Sequence, residues 1–98
     1  MPKSRTRLWD PAAYLDNETA IATYLEAALE DGDVALITAA LGDIARAKGM
    51  TVVARKAGLG RESLYKALSR DGNPEFATIL QVLAALGLRL RAVPAKRT

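Results

Sequence analysis

The chain contains no cysteine and no histidine. The first absence excludes disulfides and thiol nucleophiles. The two together exclude Cys/His zinc sites, a histidine general base and any histidine-based triad. No apolar run approaches the ~20 residues that a membrane-spanning helix requires. The first eleven residues, MPKSRTRLWDP, are basic but lack the apolar stretch of a signal peptide, so the expected compartment is the cytoplasm. There is no Gly-rich phosphate loop, internal repeat or low-complexity tract. Carboxylate chemistry survives these exclusions in principle. Yet Glu26, Glu30, Asp31 and Asp33 read as the polar face and end of one helix, not as paired acids in a cleft. The expectation is a protein that is not an enzyme and needs no cofactor or metal.

Charge of one sign is also missing from long stretches. Leu8–Ala45 carries eight acids and no base, whereas Arg46–Arg70 carries seven bases against one acid, Glu62. Met1–Arg7 adds three bases and Asp71–Thr98 four bases and two acids, for a net charge of +3. A length of 98 residues, half of them apolar, suffices for one domain with a small core.

Apolar periodicity and punctuation predict five helices, an all-α fold. Pro11 behind Asp10 suggests a short helical turn over Pro11–Leu15 within an N-terminal arm, residues 1–16. The helical region then spans 17–87. Its first helix runs from Asn17 or Glu18 to about Asp31 on the stripe Ile21, Tyr24, Leu25, Ala28 and Leu29. Gly32 stops it and Asp33 caps the second, which carries Leu36, Ile37, Ala40, Leu41, Ile44 and Ala45 inward and ends at Gly49. Thr51 is placed as the cap of a third helix, Val52–Ala57, and Gly60 precedes a fourth, Arg61–Ser69. Asn73 as cap and Pro74 at the first helical position open a fifth, reaching about Leu86 with Phe76, Ile79, Leu80, Leu83 and Leu86 inward and Gly87 as its stop. In the tail, residues 88–98, the alternation Leu88-Arg89-Leu90-Arg91-Ala92-Val93 has the period of a short strand. A lone strand is not stable in water, so it would need a partner subunit or an N-terminal strand near Thr6–Trp9; an extended tail is the alternative.

The stretch Thr51–Leu68, TVVARKAGLGRESLYKAL, has the spacing of a helix-turn-helix, with the motif extending over 51–69. Ala54 is small where two helices must cross. Gly58, four residues on, allows the positive φ of a sharp turn, and Leu59 plugs it. Val53, Ala57, Leu64 and Ala67 fall on the packed faces, which leaves a basic outside. Such a module sets its second helix in a DNA major groove. The basic block coincides with the motif, as phosphate binding requires; a solvated basic face is the bland alternative.

The first two turns of a recognition helix present Arg61, Glu62, Ser63, Tyr65 and Lys66 to base edges. Arg61 can fork onto guanine O6 and N7, and Lys66 can approach similarly. Glu62 can accept from cytosine N4, or pair with Lys66 one turn on. Tyr65 is either a rim residue at the DNA or part of the core. Phosphate contacts are assigned to Thr51, at a helix N-terminus, and to Arg55, Lys56, Ser69, Arg70 and Asn73 at the edges. Arg46 and Lys48 are explained by the dipole of a helix C-terminus. A module this small makes few base contacts, so a homodimer on a palindrome is expected, with 88–93 and the fifth helix's apolar face as candidate interfaces.

The segments LWDPAAYLDN, IATYLEAALEDGD, LGDIARAKGMT and GLGRESLYKALSRDGNPEFATILQVLAALGLRL resemble the addiction module antidote proteins of the lambda-repressor-like (XRE, HigA-type) helix-turn-helix class. The resemblance covers about Trp9 to Leu90, and GRESLYKALS with NPEF is its most specific part. It implies a five-helix lambda-repressor-like DNA-binding domain. It also implies an antitoxin that neutralises a basic RelE/HigB-like ribonuclease toxin and represses its own operon. By position, Arg61, Glu62, Ser63 and Lys66 are its base readers. Gly60 departs from the pattern, since many relatives place Ser at this cap, a stronger one. The acidic stretch 8–45 suits steering toward a basic toxin, although a solvated acidic face explains it too. The alternatives are a stand-alone phage-type repressor without a toxin and a purely structural helical domain.

Overall fold

Local chemistry starts and stops the first two helices. The Asn17 side chain accepts a hydrogen bond from the Ala20 N–H at 2.8 Å and opens α1, Glu18–Asp31. Its last turn closes as the Gly32 N–H donates to the Ala28 carbonyl. One residue later the Asp33 carboxylate accepts from the Ala35 N–H at 3.0 Å and opens α2, Val34–Lys48. Two capping side chains and one stop thus place an antiparallel pair of long helices side by side. The computed structural model describes residues 17–69 and 71–95. The expected turn over Pro11–Leu15, Arg70 and the last three residues lie outside them.

Three shorter helices follow: α3, Met50–Ala57; α4, Arg61–Ala67; and α5, Phe76–Ala85. The first begins earlier than expected. Gly49 stands at its N-cap, so Thr51 is the second helical residue and not the cap. Buried Met50 is what draws the start forward. At the other end Gly58 takes φ +74, and the Leu59 N–H reaches back to the Ala54 carbonyl at 2.9 Å. That bond pattern terminates a helix through a left-handed residue, where any side chain with a Cβ is strained.

The core is drawn from all five helices. Ile21 and Leu25 of α1 meet Leu41 and Ile44 of α2, Val53 of α3, Leu64 of α4, and Val82 and Leu83 of α5, every one buried. The first helix packs on the second, the second on the third, and the third carries both α4 and α5. One contact is backbone-close: a Cβ at Gly42 of α2 would stand 2.8 Å from the Leu68 carbonyl oxygen. Glycine there lets the end of α4 settle directly on α2.

Several expectations need correction. The fourth helix ends at Ala67 and not at Ser69, because Leu68 turns inward as its cap. The fifth starts at Phe76, two residues later than Asn73 and Pro74 suggested, with Glu75 at its N-cap. Its inward stripe is Ile79, Val82, Leu83 and Leu86, which fit the i, i+3, i+4, i+7 rule. Leu80 is out of phase with that stripe and exposed, and Phe76 overhangs the surface at the helix start. Leu29 and Leu36 are likewise outward. The apolar face of α5 is largely consumed by α3, so less of it is free for an interface between copies than expected. Among the described residues there is no strand: 88–95 has no assigned element, tied to the helix end by the Leu88 N–H to the Leu83 carbonyl at 2.9 Å. The strand period of 88–93 finds no strand to pair with among the described residues, and Thr6–Trp9, the expected partner, lies outside them.

A polar clamp joins the two long helices. The Tyr24 hydroxyl donates to Asp43 at 2.7 Å, and Asp43 also pairs with Arg46. Burial, and then the bond to Asp43, push the Tyr24 phenol up to about 12 from its usual 10. A raised phenol stabilises the fold fully below pH 10. That contribution is lost as pH climbs from 10 to 12, where the unfolded chain releases the proton and the native one does not. Urea denaturation followed across this window should show a steeper alkaline loss for the wild type than for Tyr24→Phe.

Candidate nucleic-acid interface

The interface is built from α3, the turn and α4. Leu64 is fully buried and Leu68 nearly so, one turn apart, and these two side chains seat α4 on the core. A helix of seven residues has room for little else inward. Consequently Arg61, Glu62, Ser63, Tyr65 and Lys66, the residues expected to face base edges, are all exposed. Ala67 is half-buried, and Ala54 and Ala57 are buried where the two motif helices meet. Leu59 is half-buried against the core, more open than a sealed plug.

Two of the exposed side chains are organised by one another. The Arg61 guanidinium lies over the Tyr65 ring, 5.4 Å from its centroid, and reaches the Tyr65 hydroxyl at 3.4 Å. Tyr65 therefore belongs to the outer surface and not to the core. It restricts the swing of Arg61 through a cation–π contact between residues one turn apart. The i, i+4 spacing of Arg61 and Tyr65 carries this signal in the sequence itself. No Glu62–Lys66 ion pair forms among the described residues; the carboxylate of Glu62 stays open to solvent.

The expected phosphate-contacting residues flank this surface unevenly. Arg55 and Lys56 are exposed in the last turn of α3, beside the turn into α4. Thr51 is exposed in the first turn of α3, whose leading N–H groups precede the first intrahelical bond, from Val53 to the Gly49 carbonyl at 3.0 Å. Those N–H groups remain able to donate to an anion even though Thr51 is not the cap. The Ser69 hydroxyl already donates to the Lys66 carbonyl at 2.9 Å, which ties it to the end of α4 and leaves only its lone pairs free. Asn73 is exposed in the following loop, and Arg70 lies outside the described residues. At the far end of α2, Arg46 pairs with Asp43 within its own helix, while Lys48 stands exposed at the C-terminus.

The described residues include no group of histidine, cysteine or carboxylate side chains spaced to hold a metal. No helix among them is long and apolar enough to cross a membrane. What the arrangement can do is present a short, rigidly seated helix edged by cations to a polyanionic groove.

An uncharacterized protein of Haemophilus influenzae is 49% identical over 83 residues, which span 85% of this chain and 86% of that one. No solved structure matches. The model of a family described as probable addiction module antidote protein matches residues 5–94. That match takes in all five helices and the turn between α3 and α4, so the chain belongs to the probable addiction module antidote protein family.

Proposed function

We propose that this antidote is a DNA-binding antitoxin of the HigA-type, lambda-repressor-like class. It neutralises a small basic RelE/HigB-like ribonuclease by direct binding and represses its own operon as a cytoplasmic homodimer. It does so without catalysis of its own, consistent with a sequence devoid of histidine and cysteine. The observation that carries the DNA half is the seating of α4: Leu64 inward, and Arg61, Glu62, Ser63, Tyr65 and Lys66 outward beside Arg55 and Lys56. Family membership supports the toxin half. Copies would meet through Leu80, the apolar surface that α5 leaves uncovered on its outer side.

Two experiments test the two halves separately. Co-expression with the product of the adjacent gene should show a protein that is lethal alone, is rescued by this chain and co-purifies with it. A harmless neighbour that forms no complex would leave the stand-alone repressor. Titration of the upstream operator DNA at several salt concentrations tests the other half. Arg55→Ala and Lys56→Ala should each weaken binding on all sequences and lower the salt slope by about one. Salt-independent binding, or none, would leave a purely structural domain.

A further inference from the structure

The side of the molecule built from the end of α1, the start of α2 and the start of α5 holds an apolar recess. Its volume is about 200 Å³, and its lining includes Leu25, Leu29, Val34, Phe76, Ile79 and Leu90. Val34 is 63% exposed and Phe76 65%, unusual for side chains that flank so apolar a hollow. Contiguous exposed apolar surface of this kind marks an interaction site.

Its rim is acidic. Glu26 borders the continuation of the recess along α1. Glu30 follows Leu29, Asp33 precedes Val34, and Glu75 precedes Phe76, and all three are exposed. Asp31, also exposed, closes α1 between them. The bases nearby are Arg89 and Arg91, on the tail along one edge only.

We propose that this recess is the toxin-docking surface: a small basic protein inserts an apolar side chain between Val34 and Phe76 and sets lysine or arginine side chains against the acidic rim. The inference rests on the antitoxin reading and names its contact face. Charge complementarity selects this occupant. Two copies meeting here would each bring this excess of carboxylates to the contact, which favours a basic partner over a second copy. A basic partner meets opposite charge along the α1, α2 and α5 edges, away from Arg89 and Arg91. The recess also lies on helices other than the motif pair, so one molecule could hold toxin without surrendering the surface of α4.

The test uses the full chain and the purified basic product of the adjacent gene. Val34→Ser and Phe76→Ser remove apolar surface that is already largely exposed, so the fold should be kept; melting curves check this. Each should weaken toxin binding about tenfold or more, and Glu30→Lys should slow association in a salt-dependent manner, all with operator binding unchanged. Wild-type binding matched by all three variants overturns the surface while leaving the antitoxin reading intact. No wild-type binding overturns both. A wild-type dimer that dissociates in Val34→Ser without toxin gives the recess to a second copy and overturns the proposal. So does a shift in emission of Trp9, the one tryptophan of the chain, in Val34→Ser alone, which would give the recess to the chain's own N-terminal arm.

Discussion

Replacing Leu64 by alanine is expected to destabilise the fold by about 2–5 kcal/mol, read from the midpoint of urea or thermal unfolding. The side chain is fully buried, it is the single fully buried residue within α4, and it touches a core to which each of the five helices contributes. The range spans the lost transfer free energy and the cavity left behind, and neighbouring Leu68 is pinned at the Gly42 backbone, which limits collapse into the hole. A seven-residue helix has no independent stability, so the variant should lose order in α4 before the long helices unfold. Amide exchange in Arg61–Ala67 would then accelerate more than in α1 or α2. Leu64→Met, which conserves volume, should cost less than about 1.5 kcal/mol. Equal losses from the two variants would mean that packing at this position is not what holds α4.

Arg61→Ala is expected to weaken operator binding by about 1–3 kcal/mol, roughly 5- to 150-fold, and to relax preference at one base pair. Stability should barely change, because the side chain is exposed and its contact with Tyr65 is local. The partner variant sharpens the result. Tyr65→Ala removes the ring that restrains Arg61, so discrimination at the same base pair should fall by less than in Arg61→Ala while the salt slope holds. If Arg61→Ala weakens specific and random DNA equally, Arg61 contacts phosphate and reads no base. These measurements belong at one fixed ionic strength, since the phosphate contribution otherwise swamps the comparison.

Most of the fold was legible because its boundaries are chemically local. Asn17, Gly32, Asp33 and Gly58 each act on backbone within a few residues, and each does in the structure what its residue type suggested. Ala54, Gly58 and Leu64 placed the motif for the same reason. The misreadings have non-local causes. Asn73 and Pro74 are good opening residues, yet the phase of α5 is set by Val82 and Leu83 meeting α3, which favours Phe76 as the start. The tail 88–93 has the period of a strand but no second strand among the described residues to complete it. Tyr24 and Asp43 are 19 residues apart, and only the antiparallel packing of α1 on α2 brings them together. Within the site, the outward set on α4 followed from helical geometry alone. The occupation of Ser69 by the Lys66 carbonyl depended on α4 ending two residues early, which no residue type announced.

The seating of α4 has a consequence for how such proteins diversify. Anchor and exposed surface share one short helix but no side chain: Leu64 and Leu68 hold, while five other positions face out. Exposed substitutions of this kind usually shift stability by no more than about 0.5 kcal/mol. Gene duplicates could therefore exchange residues at 61, 62, 63, 65 and 66 in almost any combination without endangering the scaffold. Under the proposed DNA-binding role, paralogues within one genome would become mutually blind in few steps, each to the other's control region, while remaining superimposable molecules.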